Sequence, residues 1–143
     1  LRTFSKTYGL AGIRLGYGVA HPELINWLGK FRQPFNVNAM AQTAALAAIE
    51  DDGYVENTRK VIQDGLAFFE NSCMELGLET VPSSANFLLI KTGEGRRHFH
   101  ELQKKGVIAR PMDGYGLPEW LRISVGLPQE NHRAMKILKE VLS

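Results

Sequence analysis

At 143 residues, 44% of them hydrophobic, the chain has the size and composition of about one folded domain. Its 17 Lys and Arg against 15 Asp and Glu leave a net charge of +2, scattered with no run of like charges longer than Arg96-Arg97 or Lys104-Lys105, so no nucleic-acid-binding tract is present. A single cysteine, Cys73, excludes an internal disulfide and a multi-cysteine metal site, which fits a reducing compartment and makes the cytoplasm the expected location.

The first segment, Ser5-Lys6-Thr7-Tyr8-Gly9-Leu10-Ala11-Gly12-Ile13-Arg14-Leu15-Gly16-Tyr17, carries the most chemistry. Lysine, a hydroxyl and an arginine are spaced as a phosphate-bearing aldehyde requires. The amine of Lys6 meets the carbonyl, while Ser5 and Arg14 donate to the phosphate. That cofactor is pyridoxal phosphate. Gly9 and Gly12 predict a loop with positive φ or close approach to a ligand. From Ile13 to Ala20 the residues alternate, which predicts a buried strand with Ile13, Leu15, Tyr17 and Val19 on one face and Arg14 among small residues on the other.

Helices are predicted next. Proline and an acidic residue in His21-Pro22-Glu23 start a short helix to about Phe31, and Asn38 caps an Ala-rich helix from Ala39 to Glu50. Asp51-Asp52-Gly53 is a break. Apolar spacing from Tyr54 to Leu76 fits one long amphipathic helix closed by Gly77, with Cys73 a small buried hydrophobe on its inner face.

The remainder reads as strand Phe87 to Ile90, helix Arg96 to Lys105, strand Val107 to Arg110, strand Trp120 to Val125 and helix Gln129 to Leu142, a small α+β sheet with helices on one side. Pro111 to Gly116 is a loop whose glycines permit a tight or mobile path beside a ligand. Arg122 lies opposite the core-facing Leu121, Ile123 and Val125, where its guanidinium can fork onto a carboxylate. Arg110 ends the neighbouring strand, and two such charges repel unless an anion lies between them or carboxylates flank them. The competing reading is two solvated charges on an exposed sheet face. Asn86, Tyr8 and Tyr115 stay open between structural and pocket roles. His98 and His100 are misplaced on a helix for sharing a metal, and His21 and His132 read as helix-start residues, so no metal site is expected.

The lysine segment resembles that of the fold type I aminotransferases. With Ser84-Ala85-Asn86-Phe87-Leu88-Leu89, Gly106-Val107-Ile108-Ala109-Arg110-Pro111 and Leu121-Arg122-Ile123-Ser124-Val125-Gly126, the whole chain is similar to the C-terminal part of the histidinol-phosphate aminotransferases. The resemblance implies an α/β fold: residues 1–52 end a large cofactor-binding domain, 53–80 form a bridging helix, and 81–143 make a small α+β domain. It implies Lys6 as Schiff-base lysine and general acid/base, Ser5 and Arg14 as cofactor-phosphate ligands, and Arg110 and Arg122 as contacts to substrate anions. The implied partners are a small amino donor, a 2-oxo acid and a second copy in a homodimer, with no membrane.

Family members carry further cofactor contacts upstream of the lysine, so the chain is expected to be part of a longer enzyme and inactive alone. The implied reaction is transamination between L-histidinol phosphate and 2-oxoglutarate. Threonine-phosphate decarboxylation, aromatic-amino-acid transamination and a non-catalytic folding or dimerisation module are the alternatives. A violet-edge absorbance from a lysine-bound cofactor separates the enzymes from the module.

Overall fold

A computed structural model describes residues 1–143, which divide into two compact units, Leu1–Arg59 and Lys60–Ser143. The first unit opens with β1 (Arg2–Thr3), antiparallel to β2 (Gly16–Tyr17) in the register Arg2 to Tyr17 and Thr3 to Gly16. A Cβ on Gly16 would lie 2.7 Å from the Arg2 carbonyl oxygen, so this pairing demands glycine there.

Between the strands the chain wraps around Phe4, which is buried against Tyr8 and Tyr17 at ring separations of 4.8 and 5.9 Å. Its backbone anchors both ends of the loop: Phe4 N donates to the Leu15 carbonyl at 3.1 Å, and Leu10 N donates to the Phe4 carbonyl at 2.9 Å.

The predicted strand from Ile13 to Ala20 is not formed. Ala11–Ile13 is a turn of 3-10 helix, Arg14 is left-handed at φ 55°, and only Gly16–Tyr17 pairs, with Tyr17 and Val19 exposed. The alternation was real, but Arg14 folds back onto the preceding turn, and a left-handed residue cannot continue a strand.

α1 (Pro22–Phe31) and α2 (Ala39–Ile49) start where local signals place them. The His21 ring nitrogen accepts from Glu23 N at 3.4 Å, and the Asn38 side-chain oxygen accepts from Ala41 N at 2.8 Å. Small residues let α2 pack closely, with Ala41 and Ala45 buried one turn apart.

α3 (Asp52–Glu75) crosses from the first unit into the second. Leu66, Phe69 and Cys73 form its buried stripe, and Gly77 at φ 67° ends it, with Leu78 N reaching back to the Cys73 carbonyl at 2.9 Å. Cys73 is the small buried hydrophobe that its position implied: it is fully enclosed, and burial pushes its thiol up to about 11.

The second unit is a four-stranded antiparallel sheet in the order β3-β4-β6-β5, built from β3 (Thr80–Val81), β4 (Phe87–Lys91), β5 (Arg110–Pro111) and β6 (Trp120–Ser124). α4 (Gly95–Lys104) and α5 (Pro128–Leu142) complete it. Leu88 and Ile90 of β4 with Leu121 and Ile123 of β6 meet Leu102, Ala134, Met135 and Leu138 in one core. Strand alternation puts Phe87, Leu89, Arg122 and Ser124 on the other sheet face.

Two close approaches fix this unit. A Cβ on Gly95 would sit 2.5 Å from the Trp120 carbonyl oxygen, and one on Gly65 would overlap Val125. Asn131, buried at the start of α5, accepts from Gly126 N at 2.8 Å and donates to its carbonyl at 3.2 Å, clamping the turn after β6. The predicted strand over Val107 to Arg110 forms later, at Arg110–Pro111, because Val107 N is taken by the Leu102 carbonyl as the chain leaves α4. His132 lies in the second turn of α5, its ring nitrogen 2.7 Å from the Pro128 carbonyl oxygen.

Candidate active site

The sequence-predicted residues fall into two groups, one in each unit. In the first, Lys6 sits exposed at the head of a tight turn closed by Gly9 N donating to the Lys6 carbonyl at 2.9 Å. Gly9 is left-handed at φ 68°, and the Tyr54 hydroxyl from the first turns of α3 occupies the place a Cβ would need. The turn carrying Lys6 is therefore set by a glycine conformation and held from outside by a tyrosine.

The amide of Ser5, the neighbour of Lys6, donates to Thr3 Oγ1 at 3.1 Å. Its hydroxyl oxygen lies 3.4 Å from Arg14 Nη1, which also donates to the Ala11 carbonyl at 2.7 Å. The left-handed turn at Arg14 is what returns the guanidinium to Ser5 across the loop. A hydroxyl and a guanidinium thus converge beside the lysine with no carboxylate among them. That donor set suits an anion with several oxygens.

In the second group, Arg110 and Arg122 are directly paired across β5 and β6. The ion pairs of the chain involve Lys91, Arg96, Arg97, Lys104 and Lys105, so neither of these two arginines has a carboxylate partner. Arg122 is half-buried, and its Nε is enclosed without any hydrogen-bond acceptor. No carboxylate flanks the pair, and Arg110 is exposed while Arg122 is half-buried.

In the loop after β5, Asp113 pairs with Arg96 of α4, whose hydrogen bond holds its carboxyl below the usual carboxylate range, and a 3-10 turn over Asp113–Tyr115 ends at Gly116, φ 75°. Tyr115 is exposed there, while Tyr8 packs its ring on Phe4. Asn86 contributes its backbone carbonyl to Val125 N at 2.9 Å.

Sequence reasoning missed Phe4, Tyr54 and Phe87. Phe87 was detectable, since it alternates onto the same face as Arg122. Tyr54 acts through Gly9, far away in sequence, and Phe4 through Tyr8 and Tyr17, and no periodic pattern marks either.

Residues 1–138 match the family described as aminotransferase class I and II. The chain belongs to that family. It is 52% identical over 142 residues to the histidinol-phosphate aminotransferase of Akkermansia muciniphila, covering 99% of this chain and 39% of that protein.

Among solved structures it is similar to histidinol-phosphate aminotransferase from Sinorhizobium meliloti in complex with pyridoxal-5'-phosphate, with a TM-score of 0.87, 28% identity, and coverage of 99% of this chain and 40% of that one. It is also similar to L-threonine-O-3-phosphate decarboxylase from Porphyromonas gingivalis, with a TM-score of 0.82, 26% identity, and coverage of 98% and 45%. The chain thus spans about two-fifths of the length of the relatives it matches. The α/β fold expected from the lysine segment is the fold of this aminotransferase chain.

Proposed function

We propose that this chain carries the cofactor lysine and the substrate arginines of a pyridoxal-phosphate-dependent aminotransferase that exchanges an amino group between L-histidinol phosphate and 2-oxoglutarate, giving imidazole-acetol phosphate and L-glutamate. The observation that carries the reading is the convergence of the Ser5 hydroxyl and the Arg14 guanidinium, 3.4 Å apart, beside Lys6. The identity to a histidinol-phosphate aminotransferase supports the choice of amino donor.

The residues fit the cofactor: its phosphate dianion needs clustered donors without competing carboxylates, and its aldehyde needs an accessible amine. Bound there, pyridoxal phosphate supplies an aldehyde for covalent capture of amines and a ring that withdraws electrons. Ser5 and Arg14 hold the phosphate, and the turn held by Gly9 and Tyr54 presents Lys6 Nζ. Lys6 Nζ would hold the cofactor's aldehyde and, as a free amine, would take the substrate α-proton and deliver it again. Arg122 receives the donor's phosphate in one half-reaction and a carboxylate in the other, because a guanidinium fork accepts either pair of oxygens. Arg110 adds charge for the phosphate.

In this reading residues 1–52 finish the larger cofactor-binding domain, 53–80 bridge, and 81–143 form the small domain, in a cytoplasmic homodimer. No helix is long and apolar enough to cross a membrane. The decarboxylase reading is favoured by the Porphyromonas gingivalis likeness, which shares a phosphate-bearing substrate. Glutamate production from histidinol phosphate and 2-oxoglutarate separates the two. Carbon dioxide release from threonine phosphate without a 2-oxo acid would replace the proposed reaction with decarboxylation.

A further inference from the structure

Arg122 has no oxygen partner, yet it is not unsupported. Its guanidinium carbon lies 4.9 Å from the centroid of the Phe87 ring, over the ring face. The ladder between β4 and β6 produces this contact: Phe87 opposes Ser124 and Leu89 opposes Arg122, so Phe87 and Arg122 are diagonal neighbours on the sheet face turned away from Leu88, Ile90, Leu121 and Ile123. Diagonal neighbours on a sheet are within reach when one is aromatic and the other long.

The chemistry of this support matters. A carboxylate would hold the guanidinium equally well but would neutralise it and occupy its donors. The negative ring face attracts the cation without neutralising it and takes up none of its terminal N–H donors. The enclosed, unpartnered Nε of Arg122 agrees, because the side chain is restrained without any hydrogen bond being used to restrain it.

We propose that Phe87 is a positioning residue for substrate anions, fixing the Arg122 guanidinium by its ring face while preserving its full charge and its terminal donors. This rests on the reading of Arg122 as the substrate-anion arginine.

The test uses the cofactor-loaded enzyme and glutarate, the amine-free analogue of glutamate, as a non-reacting probe. Replacing Phe87 with mono-, di- and trifluorinated phenylalanine keeps its shape and progressively weakens its ring face. The dissociation constant for glutarate should rise stepwise with fluorination, and Phe87→Leu should raise it about three- to thirtyfold. The KM for glutamate should rise in parallel with kcat within about twofold, and Phe87→Tyr should restore both. A flat fluorine series, or unchanged glutarate binding in Phe87→Leu while Arg122→Ala loses it, overturns the inference alone. Unchanged glutarate binding in Arg122→Ala overturns the role of Arg122 and the inference with it.

Discussion

Arg110 and Arg122 face each other across β5 and β6 in register, two like charges with no carboxylate beside either. Like charges directly opposite on a sheet are destabilising. In the proposed reading an anion is bound between them and released in turn. Arg122→Ala should therefore weaken both amino donors, whereas Arg110→Ala should weaken histidinol phosphate more than glutamate. Losing one charge-assisted contact costs about 1.5–3 kcal/mol, so each sensitive kcat/KM should fall about tenfold or more. Steady-state kinetics with each donor decides, and equal losses for both donors in the Arg110 variant would contradict the division between them.

Gly9 should tolerate no side chain. Its φ of 68° disfavours any L-residue by roughly 1–2 kcal/mol, and a Cβ would overlap the Tyr54 hydroxyl. Gly9→Ala should displace the Lys6 turn and weaken retention of pyridoxal phosphate by about tenfold, measured by spectral titration of the cofactor-free enzyme. Adding Tyr54→Phe should recover part of the loss by removing the overlap but not the backbone strain. Full retention in Gly9→Ala would mean that the turn is free to move.

Cys73 should behave as packing. A thiol at about 11, against an ordinary 9.0, holds its proton more tightly in the folded state. The associated stability is fully present below about pH 9 and is lost as the pH rises through 11. Site-resolved iodoacetamide labelling at pH 8 should therefore be about a hundredfold or more slower at Cys73 in the native enzyme than after denaturation, since thiolate is the reactive form. Comparable rates would show that α3 opens readily.

What could be read from the sequence was local. Pro22, Asn38 and Gly77 mark helix ends through contacts made within a few residues, Phe87 to Ile90 stands out as a compact apolar run between turn residues, and Leu121 with Ile123 betray a half-buried strand by alternation. The left-handed turn at Arg14 was illegible because the same alternation suits a strand, and only the return of its guanidinium to Ser5 breaks the period. β1, β3 and β5 have two residues each, too few to show any period. Within the candidate site, residue types, spacing and the family resemblance singled out Ser5, Lys6, Arg14, Arg110 and Arg122 as candidates. The support from Tyr54 emerges only where separate elements meet, at Gly9.

The central claim is that Lys6 is the residue that holds the cofactor. Borohydride reduction of the cofactor-loaded enzyme, followed by proteolysis and mass spectrometry, fixes the cofactor irreversibly to its lysine. The reduced adduct should appear on the peptide containing Ser5-Lys6-Thr7 and vanish in Lys6→Ala, which should retain some cofactor through Ser5 and Arg14 but show no turnover. A stoichiometric adduct on any other lysine would contradict the account.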